Sequence, residues 1–382
     1  MIPRIDRLGL TLSALILLSL LSLPLVSLQP NRLLPGVGIS LIELLSQAAT
    51  WRLLVVLLPT LMLASLGRQR WLKLFASTLS LLLLIQTAGA LASVLLTDQP
   101  PFARVALGSG FWTLALLLGL LITDALAKLA LGALARLLLV SAGLATVAAL
   151  LGLGSWDALS LMHEYHNQQH FWQQALRHLL LAFGSVLPAL IVGVPLGIRC
   201  HRSPRLRAAL MPLLNLLQTV PSLAMFGLLM IPLSLLTLSF PLLTEFGIRS
   251  IGAAPAVLAL FLYSLLPIVS NTAAGFDGLD PAVLQAARGM GMSARQRLWQ
   301  IELPLALPVM LSGLRIVVTM NIGLVAVAGL IGGGGFGTYI FQGLGQTATD
   351  LVLLGALPTI LLAFLAALLI DTLIALTQKE TS

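Results

Sequence analysis

The chain has 382 residues, of which 58% are hydrophobic and only 9% are charged. A water-soluble domain cannot hide that much apolar surface in one core, so this composition excludes the soluble globular classes. The formal net charge is +8, but the basic residues stand singly between apolar runs, which argues against nucleic acid as a partner.

Apolar runs that could cross a bilayer fall into two groups of five. A spanning helix needs about 20 mostly apolar residues. The first group is 8–28, 53–66, 74–96, 107–123 and 137–153, and the second is 179–198, 209–231, 255–269, 309–331 and 351–376. These runs do not alternate apolar and polar residues, which favours helices over a β-barrel. We therefore predict an all-α membrane protein with about ten transmembrane helices.

The distribution of charge predicts how the chain crosses the membrane. With the N-terminus inside, most of the 21 lysines and arginines fall on the cytoplasmic side, Arg4 and Arg68 among them. Cytoplasmic loops carry such an excess, so both termini are expected in the cytoplasm. The run 8–28 is longer than the core of a secretory signal and lacks a small-residue cleavage pattern, so we interpret it as a retained helix.

A polar segment between the two groups marks the boundary between two modules. We expect a five-helix membrane module at 1–155, an external amphipathic linker at 156–170 and a second membrane module at 171–382. The linker is polar and aromatic, and residues such as Trp156 and Tyr165 are expected at the depth of the lipid headgroups.

Histidines in and beside the linker raise the question of a metal site. His163, His166 and His170 recur at helical spacing, with Glu164 among them. The spacing does not match the HExxH zinc pattern and no cysteine assists, so a solvated interfacial face is the preferred interpretation and no metal site is expected.

The polar loop before the ninth run carries strong helix signals. Asp280, followed by proline, is typical of a helix start, and this first helix should end near Gly291. Ser293 with Gln296 three residues later forms a capping box, so a second short helix should start there and stop before Pro304. The sequence thus predicts two short helices joined by a glycine turn.

The elbow between these two helices has little side-chain bulk and a positive charge. Its small residues are Ala286, Ala287, Gly289 and Gly291, and its basic residues are Arg288, Arg295 and Arg297. Small side chains would let another protein approach the backbone closely, whereas the arginines would equally suit the anionic inner leaflet. From the residues alone, both docking on protein and docking on lipid stay open.

The stretch from Gln285 to Pro304 also resembles a known signature. The residues Gln285-Ala286-Ala287, Gly291, Ile301 and Leu303-Pro304 have the spacing of the EAA signature of permeases in binding-protein-dependent ABC importers. In that family the loop, here 271–308, is cytoplasmic, and its elbow is the coupling helix that inserts into a groove of the ATPase subunit. Gln285 stands where the family often has glutamate, and it keeps the length and a hydrogen-bonding end without the charge.

The resemblance covers 171–378 and implies a cargo and partners. Segments 215–224 and 330–337 are similar to permeases that import glycine betaine, choline and related osmoprotectants, and the extra N-terminal module resembles one branch of that group. A type I ABC importer permease core in a bacterial inner membrane is implied. The resemblance also implies three partners: a cytoplasmic ATPase with ATP and Mg²⁺, an external binding protein, and a second permease copy or a paralogous permease. This chain has no Walker A sequence, so neither a cofactor nor ATPase activity is expected on it.

Other functions compete with this interpretation. An ion-coupled secondary transporter would need acidic residues or unwound helices at mid-membrane, and Asp371 is poorly placed for that. A permease for another small solute, such as an amino acid, would share the same core. A membrane scaffold is compatible with the polar loop as well.

Two ionisable residues, Arg315 and Asp371, lie within spans of the second group. Such residues usually face the bundle interior or a partner, so we hypothesise an ion pair between the last two spans. Snorkelling of the long side chain toward the interface is the alternative.

Polar and aromatic residues of the second module are candidates for the translocation path. They are Asn215, Gln218, Phe226, Tyr263 and Asn321. Aromatic faces suit a quaternary ammonium, which cannot donate hydrogen bonds. Ordinary packing and hydrogen bonds between helices are the competing interpretations.

A glycine-rich stretch at 332–337 lacks the Gly-Lys-Ser/Thr of a phosphate loop. In the predicted topology it also lies outside, away from cytoplasmic nucleotide. We therefore interpret it as a re-entrant turn in which backbone packs closely against backbone.

Overall fold

The computed structural model describes residues 6–32, 34–66, 69–245 and 247–379, so Arg4 and Arg68 lie outside the described residues. The chain forms two compact units, which are described separately. Unit 1 comprises Met1–Gln168 and Gln346–Asp350, and unit 2 comprises Gln169–Gly345 and Leu351–Ser382. The inclusion of the short segment Gln346–Asp350 in unit 1 was not predicted from the sequence.

The described residues are mostly helical, as predicted, and contain nine helices long and apolar enough to cross a membrane. The elements of unit 1 are α1 (Arg7–Ser22), β1 (Pro24–Gln29), β2 (Val37–Ser40), α2 (Ala48–Leu66), α3 (Arg70–Leu95), β3 (Arg104–Leu107), α4 (Ser109–Leu129), α5 (Ala133–Gly152) and α6 (Ser160–Asn167). The helix α1 has 16 residues and falls short of the length of the other nine.

A three-stranded antiparallel sheet in unit 1 departs from the predicted all-α fold. Its strand order is β2-β1-β3, and Val26 of β1 pairs with Ile39 on one side and Leu107 on the other. The predicted helix 8–28 ends early because Pro24 restricts the preceding Leu23 to extended backbone, observed at φ −111° and ψ 141°. The apolar residues that follow then pair as a strand.

The segment after α5 differs from the predicted surface linker. Trp156 is buried, and its Nε1 donates to the Ile85 carbonyl oxygen at 2.8 Å. Glu164 of α6 is buried as well, where Arg32 and Arg104 bind its carboxylate. Long-range hydrogen bonds and ion pairs thus tie this segment into unit 1. Within the described residues, no group of three or more histidine, cysteine, aspartate or glutamate side chains could hold a metal ion.

An ionic cluster closes the other end of unit 1. Asp6 caps α1 and contacts both Lys73 and Lys128, and Asp124 lies 2.6 Å from Lys73 Nζ and 2.8 Å from Lys128 Nζ. Burial alone would raise the pKa of Asp6, but hydrogen bonds from Lys128, the Gly9 backbone and Lys73 outweigh it and hold the pKa at about 2. The cluster joins the ends of α1, α3 and α4.

Unit 2 contains the remaining helices, although the first two residues of its last helix belong to unit 1. Its elements are α7 (Phe171–Arg202), α8 (Pro204–Thr219), α9 (Ser222–Ser239), α10 (Leu242–Glu245), α11 (Ala253–Asp277), α12 (Pro281–Gly289), α13 (Ala294–Arg297), a π-helical turn (Leu298–Glu302), α14 (Leu303–Ala328), a 3-10 turn (Gly329–Ile331), α15 (Gly337–Gly345) and α16 (Thr349–Lys379). The predicted span 209–231 is divided between α8 and α9, because Pro221 holds Val220 in extended backbone at ψ 127°.

The centre of unit 2 is the packing of α7, α11 and α14. Apolar side chains of these helices, such as Val186, Ile268 and Val318, form one buried cluster. Glycine lets the backbones approach: a Cβ on Gly197 would lie 2.5 Å from the Cβ of Thr272. Any larger residue at that position would force the two helices apart.

The glycine-rich stretch forms a tight turn between α14 and α15, as predicted. A Cβ on Gly337 would lie 1.9 Å from the Ala326 carbonyl oxygen, so backbone does pack directly on backbone. Two side chains of α7 hold this turn. The Gly335 N–H donates to Gln174 Oε1 at 2.7 Å, and the Phe336 N–H donates to His178 Nδ1 at 3.3 Å.

Candidate functional site

The loop between α11 and α14 has both helix starts that the sequence predicts. The Asp280 side chain caps α12, since the Ala282 N–H donates to its Oδ1 at 2.8 Å. A complete capping box starts α13: the Gln296 N–H donates to Ser293 Oγ at 3.3 Å, and the Ser293 N–H donates to Gln296 Oε1 at 2.8 Å. These local bonds satisfy free backbone donors at both helix starts.

The turn between α12 and α13 depends on glycine. Gly291 has φ +75°, a left-handed conformation that residues with a Cβ rarely adopt. Its N–H donates to the Arg288 carbonyl at 3.0 Å, and the Met292 N–H donates to the Ala287 carbonyl at 3.2 Å. This pattern is a Schellman motif, which closes the end of α12.

The elbow, residues 285–296, presents an open surface. Gln285, Ala286 and Arg288 are exposed, and Met290 is 72% exposed, whereas Ala287 is buried beneath them. A Cβ built on Gly289 or Gly291 meets no other atom within 4 Å. The two glycine positions at the tip are therefore surrounded by open space, and the side chains of Gln285, Arg288 and Met290 are exposed beside them.

The prediction that the second helix stops before Pro304 is wrong, because the chain stays helical through Pro304. The α-helical part of the second helix ends at Arg297, and the π-helical turn Leu298–Glu302 then runs directly into α14. Proline clashes with the carbonyl four residues before it in a regular α-helix. The wider π turn before Pro304 removes that regular spacing, so the elbow and α14 are joined without a loop.

Ion pairs tie this loop region to α7 and α8. Glu302 is buried, with its Oε1 2.5 Å from Arg297 Nε and its Oε2 3.7 Å from Arg202 Nη2. The end of α11 is held in the same way: Asp277 lies 2.6 Å from both His201 Nδ1 and Arg207 Nη1. We did not predict these pairs. The available signal was Glu302 itself, a lone acid between apolar residues and close after Arg297.

Three candidates for the translocation path meet where α8 breaks from α9. Gln218 Nε2 donates to the Tyr263 carbonyl at 2.8 Å, and the Tyr263 hydroxyl donates to the Val220 carbonyl at 2.6 Å. Phe226 is fully buried beside Tyr263 in one apolar cluster. In this conformation the two aromatic faces are covered, so they pack the junction of α8, α9 and α11.

The other two candidates lie elsewhere in unit 2. Asn321 is fully buried, and its Nδ2 donates to Ser185 Oγ at 2.9 Å and to Ser264 Oγ at 3.0 Å. Its Oδ1 has no hydrogen-bond partner in the part of the chain that the structure describes. Asn215 is exposed on α8. The five residues therefore do not form one lining.

Arg315 and Asp371 lie side by side. Arg315 Nη1 is 2.5 Å from Asp371 Oδ1, so a charged contact joins α14 to α16. Both side chains remain nearly half exposed in this chain. The pair therefore lies at the surface of unit 2 rather than in its core.

Two family profiles match most of the chain. Residues 6–162 match the N-terminal domain of the ABC transporter permease YehY, and residues 189–381 match the binding-protein-dependent transport system inner membrane component. The second match includes the elbow, the ion pairs made by Asp277 and Glu302, and α16.

Characterised relatives match slightly more than half of the chain. The osmoprotectant import permease OsmW of Salmonella typhimurium is 42% identical over 55% of this chain and 90% of its own length. The glycine betaine/carnitine/choline permease OpuCD of Bacillus subtilis is 38% identical over 57% of this chain and 89% of its own length. An inward-facing MetNI methionine ABC transporter chain aligns with 54% of this chain and 95% of its own at 18% identity and a TM-score of 0.48. Because the profile at 189–381 covers half of the chain, this protein belongs to the inner-membrane components of binding-protein-dependent transport systems.

Proposed function

We propose that this chain is the permease subunit of an ATP-driven importer whose cargo is glycine betaine or a related quaternary-amine osmoprotectant. The cargoes for which OsmW and OpuCD are named support the cargo class. A separate cytoplasmic ATPase binds ATP and Mg²⁺, and an external binding protein delivers the cargo. A second copy of this chain or a paralogous permease completes the pathway across the inner membrane.

The single observation that carries the proposal is the exposed elbow. A docking helix that enters a groove needs a narrow tip, and Gly289 and Gly291 leave open space around the tip here, with Met290 exposed between them. Exposed Arg288 and Arg295 flank the tip and add positive charge. The open tip and the flanking arginines support the docking of the ATPase that the EAA signature implies.

The proposed orientation places the elbow and both termini in the cytoplasm. The excess of lysine and arginine on that side supports it, because such residues stay on the cytoplasmic side of bacterial membranes. The ionic cluster around Asp6 and the pairs made by Asp277 and Glu302 then lie at the inner membrane boundary, where charged groups are hydrated at little cost.

The candidate path at the α8–α9 junction requires a change of conformation. Phe226 and Tyr263 can offer their faces to a quaternary ammonium only after α9 moves away from α11. Alternation between inward-open and outward-open states, driven by the ATPase, provides such a movement. Gln218 and Asn215, which lie on α8, would move in the same change of state.

A steric variant tests the docking surface. Gly289→Tyr places a large side chain in open space, so it should leave this chain folded yet abolish co-purification with the co-expressed ATPase. Gly132→Tyr is the matched control, because a Cβ on Gly132 also meets no atom within 4 Å and the residue lies in the other unit. Wild-type association of Gly289→Tyr, or equal loss in both variants, would refute the docking assignment.

Uptake separates the proposed importer from its rivals. Cells that express the chain with its ATPase and binding protein should accumulate labelled glycine betaine, and an inactive ATPase should stop this. Uptake that continues without ATPase activity would indicate an ion-coupled secondary transporter. Preferential uptake of an amino acid would indicate a permease for another cargo, and an absence of any flux would indicate a scaffold.

A further inference from the structure

A polar cavity of about 260 Å³ lies in unit 1, apart from the elbow and the candidate path. The loop after β1 supplies Arg32, helix α6 supplies Ser160 and Glu164, and the start of α16 supplies Asp350. All of these residues belong to the same compact unit, because Gln346–Asp350 is part of unit 1. In the proposed orientation the cavity is on the external side of the membrane.

The carboxylate of Glu164 is already fully engaged. Arg32 donates from Nε to Oε1 at 2.7 Å and from Nη2 to Oε2 at 2.9 Å, and Arg104 donates from Nη1 to Oε1 at 2.8 Å. Arg32 uses two of its five N–H donors in these bonds and is 36% exposed. It therefore keeps donors that can reach an anionic group in the cavity.

Asp350 is the charged group of the cavity that lacks an ion pair. Its side chain lines the cavity although the residue is only 7% exposed. The Ser160 hydroxyl hydrogen-bonds to it and Arg104 interacts with it electrostatically, but among the described residues no lysine, arginine or histidine lies within salt-bridge distance of it. A carboxylate buried in this way is stabilised by a cation, which the cavity has room to admit.

The charges that line the cavity, together with that of Arg104 next to it, sum to zero. Arg32, Glu164 and Asp350 line the cavity, and Arg104 lies behind Glu164, to which it is ion-paired, so that two arginines balance two carboxylates. A ligand with a net charge would leave an uncompensated charge in the cavity. A zwitterion can instead place its cationic end near a carboxylate and its anionic end near an arginine. The volume lies just below the range of about 300–1,000 Å³ for small-molecule sites, which suits only a compact solute.

We propose that this cavity is a second binding site, on the external face of the N-terminal unit, for a small zwitterion. The cationic end of the ligand lies against Asp350 and its carboxylate accepts from the free N–H groups of Arg32. The choice of glycine betaine as probe rests on the proposed function, since that cargo is itself a small zwitterion.

Binding to the purified full chain in lipid nanodiscs tests the site. Titration calorimetry with glycine betaine should give an affinity that falls about tenfold in Asp350→Asn, the loss of one charge-assisted contact. Asp98→Asn is the matched control, because Asp98 is an exposed acid of the same unit outside the cavity. Choline, which lacks a carboxylate, should bind at least about tenfold more weakly than glycine betaine for the same reason.

A second variant covers the possibility that Asp350→Asn fails to fold. Arg32→Gln removes the anion contact at the rim and leaves Arg104 on Glu164, so it should weaken glycine betaine binding but not choline binding. Unchanged glycine betaine affinity in either folded variant overturns the site. So does displacement of glycine betaine by equimolar sodium, which would assign the cavity to an inorganic cation.

Uptake by the complete transporter is measured in parallel. Import by a wild-type chain that shows no Asp350-dependent binding overturns the site and leaves the proposed function intact. Asp350-dependent binding by a chain that imports no solute supports the site and overturns the proposed function. The two proposals therefore fail separately.

Discussion

Removing one hydroxyl from Tyr263 tests the junction between α8 and α9. In Tyr263→Phe the Val220 carbonyl loses a donor at 2.6 Å, next to the proline that breaks the helix. Tyr263 is 5% exposed and Val220 is half-buried, so water cannot fully replace the lost bond. A buried acceptor left without its donor costs about 1–3 kcal/mol, and partial access of water to Val220 lowers our expectation to about 1–2 kcal/mol.

Tyr339→Phe is a matched control. Tyr339 is as deeply buried as Tyr263, at 3%, but its hydroxyl has no hydrogen-bond partner within the described ranges. Removing that hydroxyl breaks no bond and relieves the burial of a lone polar group, so stability should stay the same or rise slightly.

Thermal unfolding in detergent, followed by tryptophan fluorescence, compares the two variants. A loss of 1 kcal/mol lowers Tm by about 2–4 °C in a unit of about 200 residues. Tyr263→Phe should therefore unfold several degrees below the wild type, and Tyr339→Phe at or above it. Equal shifts in the two variants, or no shift in Tyr263→Phe, would refute the role assigned to the Tyr263 hydroxyl.

Two further predictions concern the packing of unit 2. Gly313→Ala should destabilise the protein by about 1–3 kcal/mol in the same assay, because its Cβ would lie 2.6 Å from a side-chain carbon of α11; Gly323→Ala, with nothing within 4 Å, should be neutral or stabilising. Arg315→Ala and Asp371→Ala should each lower Tm, and the double variant should lose less than the sum, with a coupling energy of about 1 kcal/mol. A strictly additive double variant would show that the pair contributes no stability.

Features set by neighbouring residues were predictable from the sequence. Long apolar runs gave the spanning helices, because a helix in lipid must satisfy its own backbone. The starts of α12 and α13 followed from Asp280 and the Ser293–Gln296 capping box, which act over three residues at most. The left-handed turn at Gly291 followed from the position of glycine between two such starts.

Features that depend on distant residues were not predictable in the same way. Residues 23–29 are as apolar as the helix before them, and pairing with residues 37–40 and 104–107 makes them a strand. The sequence predicts Trp156 as an interfacial aromatic, but its indole N–H donates to the carbonyl of Ile85, 71 positions away. The cavity around Asp350 combines three segments that only the folded chain brings together.

The positions where unit 2 leaves regular α-helix indicate where it can move. Close contacts such as that of Gly197 with the Thr272 side chain lock α7 against α11, and close-packed interiors transmit displacement with little deformation. The chain departs from α geometry at the Pro221 break and in the π turn that contains Glu302. Glu302 also contacts Arg202 at the end of α7. On the proposed function, we expect a displacement of the elbow to reach α14 and α7 together and to be absorbed at the junction of α8 and α9, where Gln218, Phe226 and Tyr263 lie.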